Sequence, residues 1–283
     1  IEEADAILLI GTNPRKEAPI LNARIRKRFV AGGVKIGVIG DGADLTYDYD
    51  HISDTADAVA KIADGSHPFA QVLKDAERPM LVLGMGALTR ADSDAILGAG
   101  YAIAESTGMV SGDWNGFNVL HTAAARVGAL DVGFVPGEGG KDTQGILDGA
   151  ASGDIQAVYL LGADEIDTAK LTDAFVIYQG HHGDAGAHVA DVILPGAAYT
   201  EKNATYVNTE GRAQLGQRAI FPPGDAREDW SIIRALSERL GKTLPYDSLE
   251  QVREKLRKIS PDFTHVDEVV TAEWEKFGGA GSI

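Results

Sequence analysis

His181, His182, Asp184 and His188 stand within the stretch YQGHHGDAGAH, and imidazole and carboxylate groups are good metal ligands. Adjacent histidines point apart on an extended chain, and no pair four residues apart on a helix supports them. The spacing argues for loop histidines bonded to backbone, and no metal is expected. The stretch MLVLGMGALTR offers a second chemistry. Gly84-Met85-Gly86 follows an expected strand and opens an expected helix, and Glu105 lies about twenty residues on, where a ribose-binding acid would sit. Glycines in such a turn let the backbone approach a pyrophosphate. Thr89 holds the third position in place of Gly or Ala, so an ordinary strand-to-helix turn accounts for the stretch better than an NAD site does.

Two further stretches carry charge. GEGGKDTQG resembles a phosphate loop in composition, but Val135 stands where its first glycine is required. Asp142 replaces the Ser or Thr that would hold magnesium, so the stretch reads as a mobile surface loop. PRKEAPILNARIRKRF collects Arg15, Lys16, Arg24, Arg26, Lys27 and Arg28. These residues form either a solvated helix face or a docking patch for an acidic neighbour. No serine occupies a G-x-S-x-G turn, and the carboxylates are too numerous to pair by sequence. Spacing alone yields an α/β protein and no reaction.

Composition closes off several classes. The chain has 42 Asp and Glu against 26 Lys and Arg, a net charge of −16, which repels nucleic-acid phosphates. It has no cysteine, so this chain offers no disulfide framework, no thiolate nucleophile and no cysteine-held iron–sulfur cluster. No apolar run approaches the ~20 residues that span a bilayer. Its 283 residues suffice for one large or two medium domains. It opens at Ile1 without a methionine and reads as a piece of a longer protein.

The elements that must position these residues follow from periodicity. Ala6–Ile10 is a continuous apolar strand ending in the turn Gly11-Thr12-Asn13-Pro14. Leu21, Ile25 and Phe29 then recur on one helical face, which Gly32-Gly33 terminates. Further strands are expected at 34–39, 80–83, 101–104, 157–161, 175–178 and 192–194. Helices are expected at 91–97 and 119–127. Continuous apolar strands joined by helices imply parallel sheets covered on both faces. From Thr200 the alternation stops, leaving helices at 228–240, 249–259 and 266–277. ADAILLIGTNP near the start is echoed by IQAVYLLGADE at 155–165, which suggests two α/β lobes. The expected division is residues 1–65 as part of the first lobe, 66–200 as the second, and 201–283 as an extended and helical segment.

YQGHHGDAGAHVADVILPGAAYTEKNATYVNTEGRAQ, followed by PPGDAREDWSIIRALSE, resembles the C-terminal region of the large iron–sulfur subunit of respiratory complex I, the NADH:quinone oxidoreductase. IEEADAILLIGTNPRKEAPILNARIRKRF and LDVGFVPGEGG resemble the same subunit. More distantly, ADVILP, EK and NTEGR resemble the molybdopterin oxidoreductases. In those enzymes two doubly wound lobes clasp a bis-pterin-guanine-dinucleotide cofactor. The family's turn of GTNP type is present as Gly11-Thr12-Asn13-Pro14. Its later turn containing Pro-Arg is not, because Gly40-Asp41-Gly42-Ala43 stands there.

The resemblance implies a non-catalytic structural domain without cofactor or metal. The parent subunit's iron–sulfur clusters would lie in an N-terminal region outside this chain. Partners would be other peripheral-arm subunits, with neither nucleic acid nor direct membrane insertion. The place would be the cytoplasmic side of a bacterial inner membrane, or the matrix side in a mitochondrion. On this reading Glu201, Asn208, Glu210 and Arg212 bond backbone and one another across a seam between lobes. Two alternatives stay open. One is an active molybdopterin domain using Gly11, Thr12, Asn13, Gly162 and Asp164. The other is an NAD-binding domain using Gly84, Gly86 and Glu105.

Overall fold

The computed structural model describes residues 1–269. These fall into two compact units, Ile1–Ala123 and the described residues from Ala124 onward.

The first unit is built on β1 (Ala6–Ile10), α1 (Pro14–Glu17), α2 (Pro19–Val30), β2 (Lys35–Ile39) and β3 (Asp50–Ser53). There follow α3 (Asp57–Ala63), α4 (Pro68–Asp75), β4 (Pro79–Gly84), α5 (Met85–Leu88) and α6 (Ser93–Ser106). A two-residue ladder, β5 (Val110–Ser111) with β6 (Trp114–Asn115), leads into β7 (Phe117–Leu120). Five strands form one parallel sheet in the order β3-β2-β1-β4-β7. Every residue of β1 is buried because side chains alternate between two covered faces. Leu8 and Ile10 face a core completed by α3, α4 and α6. Ile7 and Leu9 face a second core with Ile25 of α2, Leu45 and Tyr47. The expected helical face of Leu21, Ile25 and Phe29 is the face that packs there.

The second unit opens with α7 (Arg126–Asp131) and α8 (Thr143–Ser152), then β8 (Ala157–Leu161), β9 (Phe175–Gly180), α9 (Ala185–Val189) and β10 (Val192–Pro195). These three strands form a parallel sheet in the order β10-β9-β8. Val158, Leu160, Val176 and Tyr178 pack on Leu147 and Ala150 of α8. An antiparallel hairpin of β11 (Ala204–Val207) and β12 (Ala213–Gly216) follows, then α10 (Asp229–Arg239) and α11 (Leu249–Ile259).

Several expectations change. The boundary expected at 65/66 lies inside the first unit, because β4 returns to pair with β1, Ala6 opposite Pro79 through Ile10 opposite Leu83. The described residues from 201 belong to the second unit rather than to a separate segment. The strand expected at 101–104 is the interior of α6, since a four-residue apolar run looks the same in a buried helix. The helix expected at 119–127 starts at Arg126, with Leu120 still in β7. Val266, expected to open a helix, makes a bridge to Ala213, and the remainder of that expected helix from residue 270 lies outside the described residues. The polar gap at 64–68 separates two unexpected helices, α3 and α4, and His67 caps α4 by accepting the Phe69 amide at 3.1 Å.

One buried polar pair fixes the loop after β2. Asn22 Nδ2 donates to the Leu45 carbonyl at 3.0 Å, and Tyr47 Oη donates to Asn22 Oδ1 at 2.9 Å. Burial pushes the Tyr47 hydroxyl well above the ordinary phenol range. Tyr47→Phe strands the Asn22 oxygen without its donor, so a loss of about 1–3 kcal/mol is expected in urea unfolding. Wild-type stability in that variant would show that water replaces the hydroxyl.

Candidate functional site

Strand β1 lies at the centre of its sheet, with β2 on one side and β4 on the other. The chain therefore leaves β1 and β4 in opposite directions, and such a switch point opens a crevice at the carboxyl ends of the strands. A cavity of about 950 Å³ lies there, lined by the loops after β1, β2 and β4. Gly11, Thr12 and Asn13 line it, as do Gly40, Asp41, Gly42 and Gly86.

The floor is a close approach of two backbones. Gly11 has φ +59° and its amide donates to the Ile39 carbonyl at 2.9 Å, while its own carbonyl accepts from Gly86 at 3.0 Å. A Cβ on Gly86 would stand 2.7 Å from the Gly11 oxygen, and one on Gly84 2.5 Å from the same atom. These glycines are required by the chain's own first loop. Glu105 lies near the end of α6 and accepts from Tyr101 Oη at 2.7 Å, because the strand that would have presented it to a ribose is helix. The geometry of a dinucleotide fingerprint is therefore not assembled by Gly84, Gly86 and Glu105.

Several of the charges around the cavity have partners close by. Arg15 donates to the carbonyl and the carboxylate of Asp44. The Asp44 carboxyl is lowered below its usual range, first by the Thr46 amide and then by Arg15. Arg90 grips Asp92 with two bonds of 2.7 Å, and that carboxyl is lowered by the contact. Glu17 reaches back to the first loop, accepting from Thr12 Oγ1 at 2.9 Å and from the Asn13 amide at 2.6 Å.

The basic run of α1 and α2 divides. Arg24 forks onto Glu2 at 2.9 and 2.7 Å, drawing that carboxyl down to about 2, and Arg28 donates to the Ala4 carbonyl at 2.6 Å. Arg26 and Lys27 remain on the exposed face with Ile20 and Val30.

In the second unit, Gly162 (φ +62°) donates its amide to the Gln179 carbonyl at 2.7 Å, and Asp164 accepts the Gly186 amide at 2.8 Å. His181 and His182 lie with ring centres 4.3 Å apart, and Asp184 and His188 flank and end α9. Asp142 is the N-cap of α8, accepting from the Gly145 amide at 2.7 Å, which explains an acid in the glycine-rich stretch. Of the four residues expected to bond across a seam between lobes, Asn208, Glu210 and Arg212 bond backbone and one another within a local turn instead, and Glu201 bonds backbone. Asn208 Oδ1 accepts from the amides of Glu210 and Arg212, and Arg212 pairs with Glu210 at 3.1 Å, all in the β11–β12 turn of one unit. Glu201 accepts the Ala198 amide at 3.0 Å.

A stronger polar cluster was missed by sequence reasoning. Gln179 is fully buried at the end of β9; it accepts from Tyr159 Oη and donates to Asp229 at 2.8 Å. Lys202 pairs with the other oxygen of Asp229. Glu228 accepts from the Asn203 amide at 3.2 Å and from Trp230 Nε1 at 2.7 Å. The stretches EKNATYVNTEGR and EDW are thus two halves of one fastener. The signal was a glutamine closing the apolar strand FVIYQG.

Comparison with known proteins agrees with this architecture. Residues 1–239 match the molybdopterin oxidoreductase family. The iron-sulfur protein 1 of mitochondrial NADH dehydrogenase [ubiquinone] from Solanum tuberosum is 46% identical over 269 residues, 95% of this chain and 35% of that protein. The 75 kDa subunit of NADH-ubiquinone oxidoreductase from Reclinomonas americana is 45% identical over 95% of this chain and 38% of that protein. The chain thus spans between 35% and 38% of the length of these homologues. In fold it is similar to acetylene hydratase from Pelobacter acetylenicus, with a TM-score of 0.53 at 12% identity, covering 85% of this chain and 48% of that one. With the parallel sheets, the switch-point crevice and a family match running from residue 1 to residue 239, the chain belongs to the molybdopterin oxidoreductase family.

Proposed function

We propose that this chain is a structural, non-catalytic region of the large iron–sulfur subunit of a respiratory NADH:quinone oxidoreductase. The observation that carries the reading is identity of 45–46% over 94–95% of the chain to three such subunits. The parent enzyme would pass electrons from NADH through iron–sulfur clusters to quinone, with the clusters outside this chain, which has no cysteine. Its place would be the peripheral arm, on the cytoplasmic side of a bacterial membrane or the matrix side of a mitochondrial one. Among the described residues no helix is long and apolar enough to cross a membrane.

The residues of the crevice support a domain that works without a cofactor. The turn after β2 brings Asp41 to a cavity that Asp44 and Asp54 also line, and of the three lining cations Arg15 and Arg90 are engaged by carboxylates, which leaves Lys16 against these three acids. These groups do not suit the phosphates of a pterin-guanine dinucleotide. Affinity purification of the chain from its native membranes should bring down iron–sulfur subunits and NADH:quinone oxidoreductase activity. Recovery of the chain alone would remove the reading. Acid extraction of the purified chain should release no fluorescent pterin, and molybdenum should not co-purify.

The outward face of α2 is the contact surface this reading favours. Ile20 is 77% and Val30 68% exposed, and Lys27 lies between them on the same face. Apolar groups within a basic rim suit an acidic neighbouring subunit. Ile20→Asp with Val30→Asp should leave the melting temperature unchanged and abolish co-purification. Retained assembly would place the contact elsewhere.

A further inference from the structure

The enzymes of this fold family hold a cofactor with phosphate groups, and the first loop of this chain disagrees with such a group at the level of single atoms. We infer that the Glu17 side chain fills the anion seat of the β1–β4 crevice and closes it to phosphate.

A diphosphate at the carboxyl end of β1 would be held by donors of the first loop. Two donors of that loop are taken by one side chain. Thr12 Oγ1 donates to Glu17 Oε2 at 2.9 Å, and the Asn13 amide donates to Glu17 Oε1 at 2.6 Å. A carboxylate presents two acceptor oxygens with the same sign of charge as a phosphate edge, so it satisfies the same donors. The arrangement is written into T-N-P-R-K-E: Pro14 starts a single helical turn, and that turn brings Glu17 back over the residues five and four before it.

The surroundings reinforce the closure. Two of the three cations that line the cavity are paired locally, Arg15 with Asp44 and Arg90 with Asp92, and Lys16 is the third. Asp41 and Asp54 line the cavity and repel an incoming anion. Gly84 and Gly86, the positions where backbone could approach a phosphate, are in contact with the Gly11 carbonyl.

This inference concerns the crevice alone and survives or fails independently of assembly into a larger complex. Isothermal titration of the 283-residue chain with sodium pyrophosphate, and separately with guanosine diphosphate, tests it. The wild type should give no saturable binding. Glu17→Ala, and equally Glu17→Ser, frees two donors and should bind pyrophosphate at least about tenfold more tightly. Adding Thr12→Val to Glu17→Ala should reverse the gain, which locates it at this loop. Glu17→Gln keeps an acceptor in the same place and should stay closed. Saturable binding by the wild type would overturn the inference. So would folded Ala and Ser variants without any gain, or a Gln variant that binds as well as the Ala variant, since charge repulsion and not occupancy would then be the barrier.

Discussion

Ile25→Asp is expected to abolish the cooperative thermal melt of the first unit. Ile25 is fully buried on α2, in a core with Ile7 and Leu9 of β1, Ile36 and Val38 of β2 and Met80 of β4. Truncating such a side chain costs about 2–5 kcal/mol through lost burial and the cavity left behind. The carboxylate adds a desolvation cost of several kcal/mol unless it takes up a proton. The sum rivals the about 5–15 kcal/mol by which a domain is stable. The sign with pH follows. The buried aspartate has a raised folded-state pKa, so its charge penalty is absent below the unfolded value of about 4 and grows as pH rises above it. Ile25→Asn should show no such dependence. Circular dichroism melts at acid and neutral pH read both effects, and a wild-type melt for Ile25→Asp would take Ile25 out of the core.

Gly86→Val is expected to destabilise the same unit by about 1–3 kcal/mol, the cost of forcing side-chain volume into a filled site. The added Cβ would stand 2.7 Å from the Gly11 carbonyl oxygen, and the hydrogen bond from the Gly86 amide to that oxygen holds the two loops together. Backbone cannot rotate aside as a side-chain tip can. Gly84→Val should cost at least as much, since its Cβ meets both the Gly11 oxygen and Thr12. Chemical unfolding supplies the stability and NADH titration the contrast. Saturable NADH binding by the wild type, lost in a Gly86→Val protein of unchanged stability, would restore the dinucleotide reading.

Particular residues show how much of this was legible beforehand. Strand β1 and helix α2 were readable because a continuous apolar run and a fourfold apolar spacing each have one structural solution at that length. Strand β3 was not, because Asp50-His51-Ile52-Ser53 lies at a sheet edge and carries little apolar signal. The interior of α6 was read as strand because Tyr101-Ala102-Ile103-Ala104 is apolar without a visible polar face. The division at 65/66 failed because nothing local announces that β4 returns to β1. Glu201, Asn208, Glu210 and Arg212 were read as bonding across a seam between lobes; the last three bond within a local turn and Glu201 bonds backbone, because polar residues close in sequence satisfy one another first.

The sequence by itself determined what depends on residue type and short spacing. It excluded thiolate chemistry, marked the apolar strands and carried the family resemblance in several long stretches. The tertiary structure alone decided which groups meet. It set Gly84 and Gly86 against Gly11 and drew Lys202 onto Asp229, 27 residues away. The physical reason is that a glycine permits close approach without naming its neighbour, and a charge attracts without naming its partner. For the glycines the choice is made when β1 and β4 pair and bring distant loops to the same end of the sheet.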